Sequence, residues 1–234
     1  INNLEQISSL LSVGADKVCI NTSAYNNKNF VKSAVQTFGA QCIVGSIDYK
    51  TINGKNICFS HSGQKKENTT LEDWIKKLEN YGVGEILVTS IQNDGKMNGY
   101  DFDTLAKISK IAKIPLIASG GASSYEDFYR CFEIGCDAVA AASIFHFTEL
   151  TPYGAKKYLD ENNIPCSRVN TLEDIHKDEQ VIHEEALIEV VHPVAGPMRF
   201  ASTPFQFKGQ GDFLKSHAAT LGEHNLRDTT THHL

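Results

Sequence analysis

This 234-residue sequence contains no run of about eighteen apolar residues, so nothing in it reads as a membrane-spanning helix. Nor does Ile1 open a basic-then-apolar leader, and no signal peptide is expected. Clusters of Lys and Arg are missing too. With 22 basic against 28 acidic side chains and a net charge of −6, the composition argues against a nucleic-acid surface. The six cysteines, Cys19, Cys42, Cys58, Cys131, Cys136 and Cys166, never fall at Cys-x-x-Cys spacing, and several lie in strand-like runs. They read as buried, reduced thiols of a cytoplasmic protein rather than as disulfides or zinc ligands. His61 and His146 have no metal-ligand neighbours at suitable spacing, so neither a metal nor a cofactor is expected.

What is present is a repeated alternation of short apolar runs and amphipathic helices. Strands are expected at 17–21, 41–48, 85–90, 114–118 and 137–142. Helices are expected at 4–12, near 27–38, after Thr70, at 102–112, up to about 134, and from Pro152. Thr70 with Asp73 and Ser124 with Asp127 have capping-box spacing, and Pro152 suits a first helical position. Between the second and third strands, residues 49–68 read as a hairpin excursion turning at Asn53-Gly54. This rhythm predicts an α/β fold, a parallel sheet of five βα units with right-handed crossovers, as in a partial TIM (β/α) barrel. Gly14-Ala-Asp-Lys-Val18 and Gly135-Cys-Asp-Ala-Val139 echo each other. Two similar barrel halves, or chance likeness between βα units, would each produce that echo.

The texture changes after about Val169. Residues 171–234 hold seven of the nine histidines, no cysteine and no βα rhythm. Strands are expected at 184–191 and 198–207 around the His192–Pro197 turn, and 228–234 is expected to fray. The predicted division is 1–169, a partial barrel, and 170–234, a β-rich or irregular extension.

Chemistry is expected where the strands end. Ser119-Gly120-Gly121 and, about twenty residues on, Ala142-Ser143 are small strand ends ahead of helices, leaving backbone N–H groups open to a phosphate. Asp48 closes a strand of apolar and small residues, where a barrel carboxylate faces the mouth and does acid–base work; a helix cap or ion pair is the alternative. Asp94 lies in a polar loop with Gly95, either a second carboxylate over that mouth or ordinary turn chemistry. Asn21 and Thr22 offer a second phosphate site or a helix cap. Lys17 and Glu85 start their strands at the opposite face, where solvated charge is the plain reading.

Several of these blocks resemble the cyclase-subunit family of imidazole glycerol phosphate synthase. They are Gly14–Thr22, Ser46-Ile-Asp48, Gly84–Ser90, Asp94-Gly95 with Gly99-Tyr-Asp101, Ile117–Gly121 and Ala141–Phe147. The resemblance spans residues 1 to about 168, and Phe147–Pro152 looks more like the branch tied to amidation of surface-polysaccharide sugars. It implies a TIM barrel in histidine biosynthesis that takes ammonia from a glutaminase (glutamine amidotransferase) partner. The family acts as a lyase, closing an imidazole ring on a bis-phosphorylated ribulosyl aminoimidazole carboxamide precursor. By resemblance, Asp48 is one of two catalytic aspartates, with Asp94 auxiliary. Gly95, Ser119, Gly120, Gly121, Ala142 and Ser143 bind one phosphate, and Asn21 and Thr22 help to bind the other. Lys17 and Glu85 belong to the ammonia gate on the partner face.

The family's barrel begins three βα units earlier, so the first catalytic aspartate has no counterpart and weak turnover is expected of this chain. Gln92 also stands where many relatives carry an acid. From about Asn170 the chain resembles the C-terminal end of family III CoA-transferases, in Asn170–Asp174, Asp178–Val181, Glu189–Pro197, Pro204 and Leu221–His224. That family's catalytic aspartate lies far upstream. Alternative readings are a non-catalytic phosphate-binding fragment, ammonia-dependent amidation of a polysaccharide sugar, and, remotely, a CoA-transferase fragment.

Overall fold

The computed structural model describes residues 1–166, 169–171, 173–202 and 219–220. The chain forms two compact units, Ile1–Ser167 and Arg168–Leu234.

The first unit begins with α1 (Leu4–Ser12), whose Asn3 cap accepts the Gln6 N–H, then β1 (Val18–Ile20) and a short α2 (Thr22–Asn26). Next come α3 (Lys28–Phe38), capped by the Asn27 side chain, and β2 (Ile43–Ile52). At Asn53 and Gly54 the backbone turns with φ of 48° and 73°, the paired positive values of a type I′ hairpin. The hairpin continues as β3 (Lys55–Ser60) and β4 (Lys65–Thr70) and leads into α4 (Leu71–Tyr81). The rest is β5 (Glu85–Ser90), α5 (Phe102–Ile108), β6 (Leu116–Ser119), α6 (Tyr125–Glu133), β7 (Ala138–Ala140), α7 (Ser143–Phe147) and α8 (Pro152–Glu161).

Five strands, β1-β2-β5-β6-β7, run parallel in that spatial order, a partial TIM barrel. One edge of β2 takes β5 along Val44–Tyr49. The other takes β1 at Ile43–Gly45 and antiparallel β3 at Asp48–Ile52. The strand therefore outruns its expected end at 48, because its distal half is the first arm of the hairpin.

Strand alternation sorts the side chains. Val18, Ile20, Ile47, Tyr49, Ile86, Val88, Leu116 and Ala118 are buried. They pack in one core with Ile7 of α1, Val31 and Ala34 of α3, Ile75 and Leu78 of α4, Ile108 of α5 and Phe128 of α6. Each fully buried aliphatic here contributes about 1.5–3 kcal/mol over an exposed one. The alternate positions form the other face, which is half-open: Ser46, Asp48, Leu87, Thr89, Ile117 and Ser119 are partly accessible. Cys19, expected inside, lies on that face and is exposed, because its neighbours Val18 and Ile20 take the core side.

Other expectations shift at the ends. The helix foreseen to 112 stops at Ile108, and the strand foreseen at 114–118 occupies Leu116–Ser119. Ser124 and Asp127 make the reciprocal capping box. Thr70 makes half of one: its hydroxyl accepts the Asp73 N–H and donates to the Asp73 carboxylate, which does not reach back to the Thr70 N–H. Thr151 caps α8, with Pro152 in its first turn.

In the second unit, a 3₁₀ turn (Ile175–Lys177) precedes α9 (Glu179–His183), whose Asp178 cap accepts from Gln180 and Val181. β8 (Leu187–His192) and β9 (Gly196–Ala201) pair antiparallel across a turn in which His192 Nδ1 accepts the Val194 and Ala195 N–H groups. Pro204, Phe205–Phe207, Leu221–His224 and 228–234 lie outside the described residues. No helix among the described residues is long and apolar enough to cross a membrane. Nor does any group of three or more His, Cys, Asp or Glu among them suit a metal ion.

Candidate functional site

Register fixes the site. Asp48 of β2 lies opposite Thr89 of β5, Thr89 opposite Ser119 of β6, and Ser119 opposite Ala140 of β7. Paired residues in a sheet point to the same face. These four therefore form one row across the open face at the C-terminal ends of the strands. All are small or polar, where the row below (Ser46, Leu87, Ile117, Ala138) carries two large aliphatics.

Immediately beyond that row is a cleft of about 160 Å³ lined by Asp94, Gly95, Met97, Ser119–Ala122 and Ala140–Ser143. Two glycines give it its shape. Gly120 (φ 91°) and Gly121 (φ 109°) occupy backbone conformations that L side chains rarely adopt. A Cβ on Gly121 would stand 2.3 Å from the Gly99 carbonyl oxygen, and one on Gly120 2.7 Å from that of Ser90. The chain after β6 thus lies directly against the loop after β5, and the Gly99 N–H donates to the Gly121 carbonyl at 2.8 Å. Among the described residues, the backbone N–H groups of Gly95 and Gly121 donate to no protein acceptor. Uncovered N–H groups in a small cleft suit an anion.

Asp48 is half-buried midway along β2, level with the C-terminal end of β5. Burial pushes its carboxyl above the ordinary value, and the Asp94 carboxylate pushes it further; a hydrogen bond from the Asn21 side chain opposes both. The Asp94 carboxylate thus acts on Asp48 over the mouth, and the site joins a partly desolvated carboxylate to an open N–H cleft. Asn21 precedes α2 without capping it through its side chain, and its Oδ1 is buried without a partner. Thr22 lies apart from the cleft, its hydroxyl accepting the N–H of His61 in the turn between β3 and β4 (2.9 Å).

Lys17 and Glu85 form an ion pair at the opposite ends of their strands. Gln92, in the loop after β5, accepts the Thr51 N–H through its side-chain oxygen. His61 Nδ1 shares a hydrogen bond with Ser60 Oγ (2.8 Å), and His146 is exposed on α7. Met97, which lines the cleft with φ 49°, went unremarked in the sequence, where an ordinary loop methionine gives no signal.

The model of the family described as histidine biosynthesis protein matches residues 1–151. The CoA-transferase family III model matches residues 146–225, including the strands β8 and β9. Among the most similar relatives is the imidazole glycerol phosphate synthase subunit HisF of Thermotoga sp. (strain RQ2), 42% identical over 164 residues. That match takes in 70% of this chain and 65% of the relative. The protein of the same name from Dictyoglomus thermophilum is 45% identical over 165 residues, covering 70% of this chain and 66% of its own. The chain therefore spans about two thirds of the length of these relatives. With the family model covering well over half of its residues and the strand-end row and cleft lying inside that match, the chain belongs to the histidine biosynthesis protein family.

Proposed function

We propose that residues 1–169 serve as a cyclase-type (β/α) segment of imidazole glycerol phosphate synthase, with 170–234 a CoA-transferase-like segment outside the chemistry. The reaction is that of a carbon–nitrogen lyase: ammonia from a glutaminase partner closes an imidazole ring on a bis-phosphorylated ribulosyl aminoimidazole carboxamide precursor. The observation that carries this reading is the alignment of Asp48, Thr89, Ser119 and Ala140 in one row, with the open cleft directly beyond.

In this reading the cleft takes one phosphate. Gly95 and Gly121 donate backbone N–H groups, Ser119 and Ser143 offer hydroxyls, and Gly120 and Ala142 let the oxygens approach. The reacting carbons then lie over Asp48. A carboxyl raised by burial and by Asp94 holds a proton closer to neutral pH, the requirement for a general acid–base group. A phosphate dianion adds negative charge beside it and pushes in the same direction. Asn21 orients Asp48, Thr22 meets the second phosphate, and Asp94 is auxiliary. The Lys17–Glu85 pair marks the face presented to the glutaminase. In this reading the protein works in the cytoplasm.

Calorimetry with a sugar phosphate tests the reading. Binding at millimolar ligand or tighter is expected, lost in Ser143→Asp and kept in Asp48→Asn. With precursor and an ammonium salt, Asp48→Asn is expected to slow ring closure by ~10²–10⁴. Failure of the unaltered chain to take up sugar phosphate at millimolar concentration sinks the proposal.

A further inference from the structure

Residues 91–101 carry Asp94 and Gly95 from β5 to α5, and they are fastened at both ends to a single residue of β2. At the near end, the Ile91 N–H donates to the Tyr49 carbonyl oxygen at 3.1 Å. At the far end, the Tyr49 hydroxyl donates to Asp101 Oδ2 at 2.9 Å. Asp101 is also the cap of α5, its Oδ1 accepting the Thr104 N–H at 3.2 Å. Two residues further along β2, the Thr51 N–H donates to Gln92 Oε1 at 3.2 Å. Tyr49 is 1% exposed, so its hydroxyl is shielded from water and gives its proton to Asp101.

Tyr49 also follows Asp48. Alternation along β2 sends Asp48 to the open face and Tyr49 to the core, yet both act on the same loop. We propose that Tyr49 is a positioning residue that fixes the distance between the two carboxylates by holding the Asp94 loop against the strand that carries Asp48. The role is that of a splint: the hairpin arm extends β2 past the end of β5, and the surplus strand grips the loop. The Tyr100 hydroxyl, bonded to the Ala140 carbonyl, and the Gly99–Gly121 bond hold the same loop to the β6 and β7 side. Removing the Tyr49 hydroxyl therefore cuts the tie to β2 at the far end of the loop, leaves the Ile91 and Gln92 ties in place, and lets the Asp94 segment between them shift relative to Asp48 while it stays attached to the cleft. The inference rests on the proposed function only in treating Asp48 as the reacting group; the geometry it asserts is tested without substrate.

The experiment follows the Asp48 carboxyl by carbon NMR through a pH titration of the full chain. The groups that act on it or respond to it are Asp94 from the loop, Asn21 after β1, Tyr25 of α2, and Cys58 of β3. Tyr49→Phe keeps the buried ring and removes the hydroxyl. The Asp48 midpoint is expected to fall toward the ordinary aspartate value, in the same direction as in Asp94→Asn. In the Asp94→Asn background Tyr49→Phe should then move it no further. Asp101→Asn keeps a capping oxygen but loses the carboxylate, and is expected to act as Tyr49→Phe does should that variant fold poorly. An unchanged midpoint in both single variants, or an equal shift with and without Asp94, overturns the positioning role. Loss of sugar-phosphate binding by the unaltered chain would instead count against the proposed function and leave this result standing.

Discussion

Asp48 is costly to the fold at neutral pH. Its folded carboxyl is raised, so the native state holds its proton to higher pH than the unfolded chain does. The stability linked to it is full below the unfolded value of about 3.9 and is lost as pH rises through the folded one. Asp48→Asn removes that loss. Its melting temperature is expected to exceed the parent's by about 1–3 °C at pH 7, with the gain vanishing near pH 4, measured by calorimetry at both pH values. A gain that persists in acid would show that the carboxylate is not its source. Gly121 sets the opposite balance. With φ at 109° and the Gly99 carbonyl 2.3 Å from any added Cβ, Gly121→Ala should cost about 2–3 kcal/mol in urea unfolding and remove phosphate binding with it. The sequence displayed both residues, because a strand-end carboxylate and a Gly-Gly pair carry local signals. It did not display the Tyr49–Asp101 bond, whose partners lie 52 residues apart and meet through pairing that no local pattern encodes.

Among the elements, legibility follows the range of the interactions that define them. Ser124 with Asp127, Thr151 before Pro152, and Asn53-Gly54 each announce a boundary through chemistry three residues wide, and the structure puts boundaries there. Three five-residue helices, α2, α7 and α9, escaped, being too short to show an apolar stripe. The far half of β2 was legible as the first arm of the hairpin but not as a continuation of the strand before it, since its polar residues Lys50 and Thr51 owe their strand form to β3. The capping box at α6 is open to direct measurement. Ser124→Ala removes the hydroxyl that accepts the Asp127 N–H and should cost about 1 kcal/mol, seen as a lower urea midpoint at unchanged slope. An unchanged midpoint would mean that Asp127, held by Ser123 as well, fixes the helix start alone.

At the scale of the molecule, every residue of the proposed phosphate cleft comes from the first compact unit. A chain ending at Cys166 is therefore expected to bind sugar phosphate within about twofold of the full chain, and calorimetry on both decides it. A tenfold difference would give the second unit a part in the site. The parallel order of five strands was legible because βα rhythm and right-handed crossover leave few alternatives. The row at the mouth was less so, since it depends on register, which a list of strands leaves open.

The placement of Cys19 has a practical side. It is exposed, whereas the other five thiols are buried or half-buried. Partial desolvation by its surroundings and the Glu85 carboxylate push its thiol up, so alkylation at neutral pH should be slow. A fluorophore attached there would sit on β1, one strand from Asp48, and would report whether solvent or another polypeptide lies along that strand.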